Sequence, residues 1–163
     1  MIHVRQATPL DARQMAELLN EIIAKGGTTA RTDPITPQEM QAEMRLYPGQ
    51  NAWSLAEDDA ALVLGFQHIG PHPDLPPEAA DIATFVRLGQ TGLGIGSKLF
   101  EATKRRARRI GYAWINATIR ADNDSGLTYY QSKGFEEYRR LPDTVLADGT
   151  TVDRVCKRYD LSR

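Results

Sequence analysis

The first third of the chain carries apolar residues at the spacing of an amphipathic α-helix. The start signal "TPLD" at 8–11 and the pair Gly26-Gly27 bound this predicted helix. A second start signal, "TPQE" at 36–39, predicts a short helix that runs to about Leu46. A strand over 2–5 is expected to precede both helices. The buried face of the first helix is predicted to consist of Met15, Leu18, Leu19, Ile22 and Ile23.

Beyond residue 50 the pattern favours strands. "AWSLAE" and "ALVLGFQHI", separated by Asp58-Asp59, predict a β-hairpin, and the proline-rich segment "GPHPDLPPE" predicts a surface loop. "DIATFVRL", a helix over about 95–110 and "YAWINATI" form a strand–helix–strand unit whose two strands are expected to be parallel. A short helix to about Lys133, followed by strands near 135–140 and 151–159, completes the prediction.

The composition limits the class of protein. A chain of 163 residues fits a single domain spanning 1–163. The 20 Lys and Arg residues nearly balance the 21 Asp and Glu residues, so no overall charge favours nucleic acid or a membrane surface. A lone cysteine, Cys156, argues against an internal disulfide and a cysteine-based zinc site and fits a reducing compartment. With no signal peptide or membrane-spanning apolar run in the sequence, we expect a soluble, cytoplasmic protein.

A glycine-rich turn, "GQTGLGIGSK", lies between the predicted strand and the predicted helix. Unpaired N–H groups and the helix dipole at such a helix start suit a phosphate group. The order Gly96-Ser97-Lys98 does not fit a P-loop, and Gly92, Gly94 and Gly96 do not fit the dinucleotide pattern G-x-G-x-x-G. A glycine-rich connection without a ligand remains the alternative interpretation.

Two segments resemble the signatures of the GNAT N-acetyltransferase family. "GIGSKL" is similar to the second half of its pyrophosphate loop, R/Q-x-x-G-x-G/A, with Thr91 where Arg or Gln is usual. The amino-terminal half resembles the phosphinothricin and methionine-sulfone acetyltransferase subgroup. The resemblance implies an α/β (α+β) fold with a mixed, twisted sheet of about seven strands flanked by about four helices. The second signature is matched by Asn123, Gly126, Leu127, Tyr130, Gly134 and Phe135.

The resemblance also implies acetyl-CoA as cosubstrate and a set of residues that bind it. Backbone N–H groups within 85–87 are expected to stabilise the oxyanion of the reacting thioester. Asn123 either contacts the pantetheine arm or serves only as a helix N-cap. The implied cofactor-binding residues are Phe85, Val86, Arg87, Thr91, Gly92, Leu93, Gly94, Ile95, Gly96, Ser97, Asn123 and Tyr130.

Acetyl transfer to an amine calls for a base and an acid. An amine with a pKa of ~10.4 is almost wholly protonated at pH 7, which costs roughly 4.6 kcal/mol before attack. Asp81 lies where the phosphinothricin subgroup carries a glutamate proposed as the base, so the resemblance makes it the candidate; a solvent-facing carboxylate is the alternative. The family assigns protonation of the leaving thiolate to the tyrosine that matches Tyr130, whose alternative is a core tyrosine. The neighbouring Tyr129 is expected to point elsewhere.

Three other residues are candidates for the acceptor pocket. Arg31 suits an acceptor carboxylate, or alternatively a salt bridge to Asp33 or another acid. His68 and His72 flank the proline-rich loop and are expected to line the pocket rather than to hold a metal ion.

The basic run at 104–109 is interpreted as a solvated helix face, with contact to the 3′-phosphate of CoA as the alternative.

The resemblance therefore implies an N-acetyltransferase that transfers the acetyl group of acetyl-CoA to the primary amine of a small, amino-acid-like acceptor by direct attack in a ternary complex. Aminoglycosides, polyamines and peptide N-termini remain alternative acceptors, and a non-catalytic acyl-CoA sensor remains an alternative function. A nucleic-acid-binding module is a more distant reading. We expect no metal, nucleic-acid or membrane partner, and the resemblance suggests a homodimer.

Overall fold

A computed structural model describes residues 1–90 and 93–162, and one seven-stranded mixed sheet forms its centre. The strands follow the order β1-β2-β3-β4-β5-β7-β6, in which β4 and β5 are parallel and all other neighbours are antiparallel. This arrangement confirms the predicted mixed sheet with its helices. The elements are β1 (His3–Gln6), α1 (Ala12–Lys25), α2 (Pro37–Met44), β2 (Ala52–Glu57), β3 (Val63–Gly70), β4 (Ala79–Val86), α3 (Ile95–Ile110), β5 (Trp114–Arg120), α4 (Asp124–Ser132), β6 (Glu136–Val145) and β7 (Thr151–Asp160).

Both predicted start signals open helices, by different geometries. At α2 the Thr36 hydroxyl accepts the Glu39 N–H at 3.0 Å, and the Glu39 carboxylate accepts the Thr36 N–H at 3.1 Å, which is the predicted capping box. At α1 a short 3₁₀ turn, Pro9–Asp11, comes first, and the Asp11 carboxylate accepts the Thr8 N–H at 2.7 Å. At the start of each helix, the predicted signal therefore supplies side-chain acceptors for backbone N–H groups that would otherwise be unpaired.

The boundaries of several elements differ from the prediction, and the largest difference is at β6, which ends at Val145 rather than near residue 140. The short helix α2 ends at Met44 rather than near Leu46, and the chain soon adopts a positive φ of 53° at Tyr47. Strand β4 begins at Ala79, two residues earlier than the sequence pattern indicated, because Ala79 pairs with Trp114 of β5. The proline-rich loop ends at Glu78, as the segment "GPHPDLPPE" predicted.

The sheet splits between β4 and β5. Their parallel pairing covers only Ala79–Asp81 against Trp114–Asn116. Past that point β4 continues to Val86 alongside β3, whereas β5 continues to Arg120 alongside β7. A gap therefore opens in the middle of the sheet, with Asp81 and Asn116 at its closed end.

Helices cover the two faces of the sheet with separate cores. Helices α1 and α2 pack on the face that carries Leu55 and Phe66, and Phe85 packs against Phe66 with ring centroids 5.1 Å apart. Helices α3 and α4 pack on the opposite face, where Phe100 and Tyr130 are buried. Because side chains alternate along a strand, neighbouring residues of β3, β4 and β5 face different cores.

The basic run of α3 is only partly a solvated face. The Arg106 guanidinium donates to the Trp53 carbonyl at 2.8 Å, and Arg108 donates to the Leu161 carbonyl at 3.0 Å. Lys104 pairs with Glu101 at 2.8 Å. Arg106 and Arg108 therefore fasten the helix to β2 and to the segment that follows β7, whereas the Lys104 pair lies within the helix. Across residues 1–90 and 93–162, none of the helices combines the length and apolar character needed to cross a membrane.

Candidate active site

Asp81 lies at the closed end of the gap and is held by a buried amide. Its Oδ1 accepts a hydrogen bond from Asn116 Nδ2 at 2.9 Å. The same nitrogen donates to Thr118 Oγ1 at 2.9 Å, and Asn116 Oδ1 accepts from the Tyr138 hydroxyl. Asn116 is only 3% exposed, so these bonds use every polar atom of its side chain. The Asp81 carboxylate is thereby fixed through one oxygen.

Tyr138 reaches this amide because β6 is irregular at that point. The register of β6 against β7 shifts between Glu137 and Arg139, which leaves Tyr138 as the extra residue of a β-bulge. Its ring meets Trp114 edge to face, with centroids 5.8 Å apart. Sequence reasoning missed both Asn116 and Tyr138, although a polar Asn within the apolar strand "WINATI" was a detectable signal.

Burial raises the pKa of the Asp81 carboxyl above its ordinary value. The hydrogen bond from Asn116 acts in the opposite direction, as do the charges of His72 and Arg154, yet burial remains the largest cause. A carboxylate with a raised pKa is a stronger proton acceptor than an ordinary aspartate. The alternative of a solvent-facing carboxylate does not fit this environment.

His68 lies on the same side of the sheet as Asp81. Gly70 pairs with Asp81 in the β3–β4 ladder, and His68 is two residues away on β3. Its ring stacks on Trp53 at 4.0 Å, and burial, together with the charge of Arg31, lowers the pKa of His68 to about 4. The imidazole is therefore neutral at pH 7. The described part of the chain holds no cluster of three or more His, Cys, Asp or Glu side chains suited to a metal ion.

Arg31 forms the predicted salt bridge to another acid, Glu43, at 2.6 Å, and not to Asp33. It also lines a cavity of about 210 Å³ between the α1–α2 connection and the β6–β7 turn. Thr32 in the same wall has a buried hydroxyl without a partner among the described residues. His72 is more exposed to solvent than His68, and its Nδ1 accepts the Asp74 N–H at 3.1 Å. The cavity lining comprises Ile23, Gly26, Gly27, Thr29, Arg31, Thr32, Arg120, Asp148 and Thr150.

The glycine-rich turn ends in a helix start that no side chain caps. Gly94 is the N-cap of α3, with a left-handed φ of 77°, and it makes no side-chain cap bond. The Lys98 N–H is bonded to the Gly94 carbonyl, so the N–H groups of the preceding helix residues have no acceptor in the first turn. The Lys133 ammonium contacts Ser97 Oγ and brings a positive charge to this end. The predicted residues Thr91 and Gly92 lie outside the described residues.

The three residues of segment 85–87, which were predicted to bind the cofactor and to supply oxyanion donors, make different contacts. The Arg87 N–H donates to the Leu64 carbonyl at 2.8 Å, and its guanidinium donates to the Val63 carbonyl at 2.8 Å. Arg87 is therefore unavailable as an oxyanion donor. Because bonded pairs alternate along an antiparallel ladder, the Val86 N–H points away from β3, towards the gap. Phe85 contributes its ring to the α1–α2 core.

Tyr130 has its ring in the core and its hydroxyl at the gap. The ring packs against Phe135 at 5.1 Å, and the hydroxyl lies 2.8 Å from Thr84 Oγ1, on the part of β4 that no longer pairs with β5. Burial raises the pKa of Tyr130. The expectation that Tyr129 points elsewhere is wrong, because its hydroxyl belongs to the same network and donates to the Gly96 carbonyl at 2.7 Å.

Asn123 takes the N-cap role that was one of its two interpretations. Its Oδ1 accepts the Gly126 N–H at 3.0 Å, and its Nδ2 donates to the Thr28 carbonyl at 3.0 Å. A Cβ at residue 126 would lie 2.4 Å from Asn123 Nδ2, which explains the glycine of the motif. Asn123 thus fixes the start of α4 against the α1–α2 connection.

A split sheet, an uncapped helix start and a buried carboxylate at the closed end of the gap together form a candidate site for acyl transfer. Residues 15–135 match the acetyltransferase (GNAT) family, and the chain belongs to that family.

Named relatives support this assignment. The chain is 26% identical over 161 residues to YwnH of Bacillus subtilis (strain 168), covering 97% of this chain and 94% of that protein. It is 24% identical over 136 residues to the phosphinothricin N-acetyltransferase of Streptomyces viridochromogenes, covering 82% of this chain and 74% of the relative.

Solved structures share the fold. An N-acetyltransferase from Staphylococcus aureus Mu50 superposes with a TM-score of 0.88 at 22% identity, covering 99% of both chains. A phosphinothricin acetyltransferase from Sinorhizobium meliloti, solved in complex with AcCoA, superposes with a TM-score of 0.87 at 20% identity, covering 98% of this chain and 88% of that one. These likenesses confirm the expected GNAT fold.

Proposed function

We propose that this chain transfers the acetyl group of acetyl-CoA to the primary amine of a small acceptor that also carries an anionic group. The observation that carries the proposal is the gap after Asp81. A buried carboxylate, a backbone N–H and a tyrosine hydroxyl border this gap, from Asp81, Val86 and Tyr130. A base, an oxyanion donor and an acid are the three groups that aminolysis of a thioester uses.

The start of α3 is the proposed site for the diphosphate of CoA. The N–H groups of Ile95, Gly96 and Ser97 belong to a first helical turn, and Gly94 brings no side chain that would compete for them. Lys133 adds a positive charge beside Ser97. We extend the proposed site to Leu93 and to Thr91 and Gly92, which lie outside the described residues. Asn123 supports it indirectly, through the start of α4.

The proposed chemistry moves two protons. Acetyl-CoA supplies the acetyl group as a thioester, and the amine nitrogen forms a bond to its carbonyl carbon. The amine reacts in its neutral form, after its ammonium proton has passed to solvent, and Asp81 takes the second proton from the nitrogen, directly or through water, as the carbon–nitrogen bond forms. The Val86 N–H donates to the carbonyl oxygen as negative charge grows there. As the carbon–sulfur bond breaks, Tyr130 gives a proton to the sulfur. Both groups then exchange protons with solvent.

The acceptor side of the gap favours an amine that also carries a negative charge. Arg31 lines the cavity and lies close enough to His68 to lower that residue's pKa, while His68 is a neighbour of Asp81 on the same face. Arg120 lines the same cavity, four residues beyond Asn116 on β5. An arginine fork matches a carboxylate or phosphinate group well. His72 belongs to this proposed acceptor side through its charge on Asp81.

The test is a thiol-release assay with acetyl-CoA over a panel of amines. The panel contains amino acids and their sulfone, sulfoximine and phosphinate analogues, together with polyamines, aminoglycosides and short peptides. We expect the highest turnover with an amino-acid analogue, and its decarboxylated counterpart should react more slowly. Asp81→Asn is the matched control, since an asparagine keeps the size of the side chain and removes the base.

Two outcomes would contradict the proposal. Faster reaction of a polyamine, an aminoglycoside or a peptide than of every amino-acid analogue would replace the acceptor class. Calorimetric binding of acetyl-CoA without release of CoA by any amine would favour a non-catalytic acyl-CoA sensor.

A further inference from the structure

Gln67 is a fully buried amide in the middle of β3, with an exposed fraction of 0%. Its Nε2 donates to Thr84 Oγ1 at 2.9 Å and to the Tyr129 hydroxyl at 3.0 Å. Its Oε1 has no partner among the described residues. A buried polar atom without a partner costs free energy, so a glutamine at this position calls for an explanation beyond packing.

The direction of this amide follows from counting its donors. With Nε2 towards the two hydroxyls, both N–H groups are used and one carbonyl oxygen is unpaired. The reverse orientation would bury two N–H groups without acceptors, which is the less tolerated arrangement. It would also offer the single Tyr129 hydroxyl hydrogen a second acceptor besides the Gly96 carbonyl. Gln67 is therefore the donor to both hydroxyls.

The hydroxyl hydrogen of Thr84 faces the hydroxyl oxygens of two tyrosines, Tyr129 and Tyr130. A hydroxyl group carries one hydrogen and two lone pairs, and Thr84 Oγ1 already accepts from Gln67. Thr84 Oγ1 contacts the Tyr130 hydroxyl at 2.8 Å. Tyr129 is a second neighbour of Thr84, but its oxygen already accepts from Gln67. One of the two hydroxyl hydrogens must lack an acceptor within this pair, and only Tyr130 borders the gap, where an acceptor can enter, so the direction with Thr84 donating to Tyr130 leaves fewer buried donors unpaired. The Tyr130 hydrogen is consequently left for another acceptor.

We propose that Gln67 and Thr84 are positioning residues that aim the hydroxyl hydrogen of Tyr130 into the gap between β4 and β5. The inference rests on the proposed function, in which this hydrogen passes to the leaving sulfur. Thr84 lies three residues beyond Asp81, where β4 has separated from β5. Without the donation from Thr84, the Tyr130 hydrogen could turn onto the threonine oxygen and be lost to the reaction.

The same amide connects the acid to the start of α3. Gln67 donates to Tyr129, whose own hydrogen is held by the Gly96 carbonyl in the first turn of that helix. One side chain therefore sets the geometry of two neighbouring tyrosines, of which only Tyr130 borders the gap. Tyr129 acts as a support in this arrangement.

The kinetic test compares Thr84→Val, Thr84→Ser, Tyr130→Phe and the double variant Thr84→Val/Tyr130→Phe, with the best amine of the panel. Thr84→Val should lower kcat by about tenfold to hundredfold, with the KM for acetyl-CoA and the calorimetric Kd for CoA within about twofold of the parent. Thr84→Ser, which keeps the hydroxyl, should restore kcat. The double variant should be no slower than Tyr130→Phe, because Thr84 acts through Tyr130.

Ser54→Ala is the matched control for loss of a buried hydroxyl. Ser54 pairs with Gln67 across β2 and β3, is 1% exposed, and its hydroxyl has no partner among the described residues. Its removal should leave kcat unchanged. A loss of kcat in Ser54→Ala equal to that in Thr84→Val would assign both effects to packing and overturn the inference.

A second measurement needs neither acceptor nor cofactor. In protein labelled with carbon-13 at Cζ of tyrosine, the Tyr130 signal is assigned by its loss in Tyr130→Phe. If Thr84 donates to Tyr130, Thr84→Val withdraws a donor from the phenol oxygen and moves the signal towards the phenolate position. Movement in the opposite direction would show that Tyr130 donates to Thr84, and an unmoved signal would show no bond. Either result overturns the inference.

The outcomes separate this inference from the proposed function. If Tyr130→Phe keeps the parent kcat, the acid role fails, and the positioning role in the reaction fails with it. If Tyr130→Phe is slow but Thr84→Val is fast, or if the two losses multiply in the double variant, the inference alone is overturned.

Discussion

Gly96 lies against the ring of Tyr129 so closely that a Cβ built at residue 96 would be 2.6 Å from Tyr129 Cε1. The contact holds α4 against the first turn of α3, because the Tyr129 hydroxyl also donates to the Gly96 carbonyl. Glycine at this position therefore serves a close approach between two helices, in addition to any role towards a phosphate group.

Gly96→Ala is expected to destabilise the fold by about 1–3 kcal/mol, the usual cost of overpacking, and to weaken CoA binding. Thermal unfolding and calorimetry with CoA measure the two effects. Adding Tyr129→Leu to Gly96→Ala removes the ring and should recover part of the lost stability. Unchanged stability and CoA affinity in Gly96→Ala would contradict the steric argument.

Asp81→Asn should inactivate the enzyme and stabilise its fold at the same time. Loss of a general base lowers kcat by about 10²–10⁴-fold, while the asparagine can still accept the Asn116 hydrogen bond. Burial raises the pKa of Asp81 in the folded state, so the charged carboxylate destabilises the fold at pH 7.

The pH dependence of unfolding checks the sign of this effect. The parent gains stability as the pH falls through the pKa of folded Asp81, and the advantage of Asp81→Asn should shrink accordingly. Asp74→Asn is the control, because its carboxylate is 86% exposed and should give no such advantage. An Asp81→Asn variant less stable than the parent at pH 7 would refute the burial argument.

Tyr138→Phe is expected to act from a distance on Asp81, the proposed base. Loss of its hydroxyl loosens Asn116, whose hydrogen bond lowers the pKa of Asp81 against the effect of burial. The acidic limb of the kcat/KM profile should therefore move to higher pH. Tyr47→Phe, at another partly exposed tyrosine, should not move it. A profile for Tyr138→Phe that overlies the parent would show that Asn116 holds Asp81 without help.

Arg31→Gln should raise the KM for an acceptor with a carboxylate and spare its decarboxylated analogue. A hydrogen bond to a charged group contributes about 1.5–3 kcal/mol, which corresponds to about 10- to 150-fold in KM. Glu43→Gln is the informative companion, since it removes the competing partner of Arg31 and should lower the same KM. If Arg31→Gln raised the KM equally for both acceptors, Arg31 would support the fold rather than bind the acceptor carboxylate.

Asn123→Ala should cost about 1 kcal/mol of stability, because it removes the side-chain cap of α4. Denaturant unfolding measures the loss. Asn123→Asp keeps the cap but cannot donate to the Thr28 carbonyl, so it isolates that second contact. If Asn123→Ala binds CoA as tightly as the parent, a direct contact between Asn123 and the pantetheine arm is ruled out.

Local patterns predicted the elements well. The bounds of α3 agree with the prediction because a glycine flanks each end of the helix: Gly94 is the N-cap and Gly111 is the C-cap. The seven strands followed from alternation and from the glycine and proline residues between them. The glycine-rich turn was also visible, because its residues are contiguous in the sequence.

The connections within the site were not predictable in the same way. Asp81 and Asn116 are 35 residues apart, and their hydrogen bond depends on the register of the single parallel pair of strands. Tyr138 reaches the site only through a β-bulge, and the position of a bulge has no simple signal in a strand of exposed, charged residues. The prediction for Tyr129 was wrong because adjacent helical residues point in different directions at their Cα atoms. The long side chains of Tyr129 and Tyr130 nevertheless bring both hydroxyls to the Gln67–Thr84 pair.

The short junction between β4 and β5 makes the width of the gap a property of the whole sheet. Neighbouring strands twist by about 20–25° relative to each other, and here the two halves share only a short ladder of three residue pairs within the described sheet. Each half then follows its own partner, β3 or β7. Substitutions of the side chains that set the twist of β6 on β7, far from the reacting groups, should therefore change the width of the gap and the size of the acceptors that it admits.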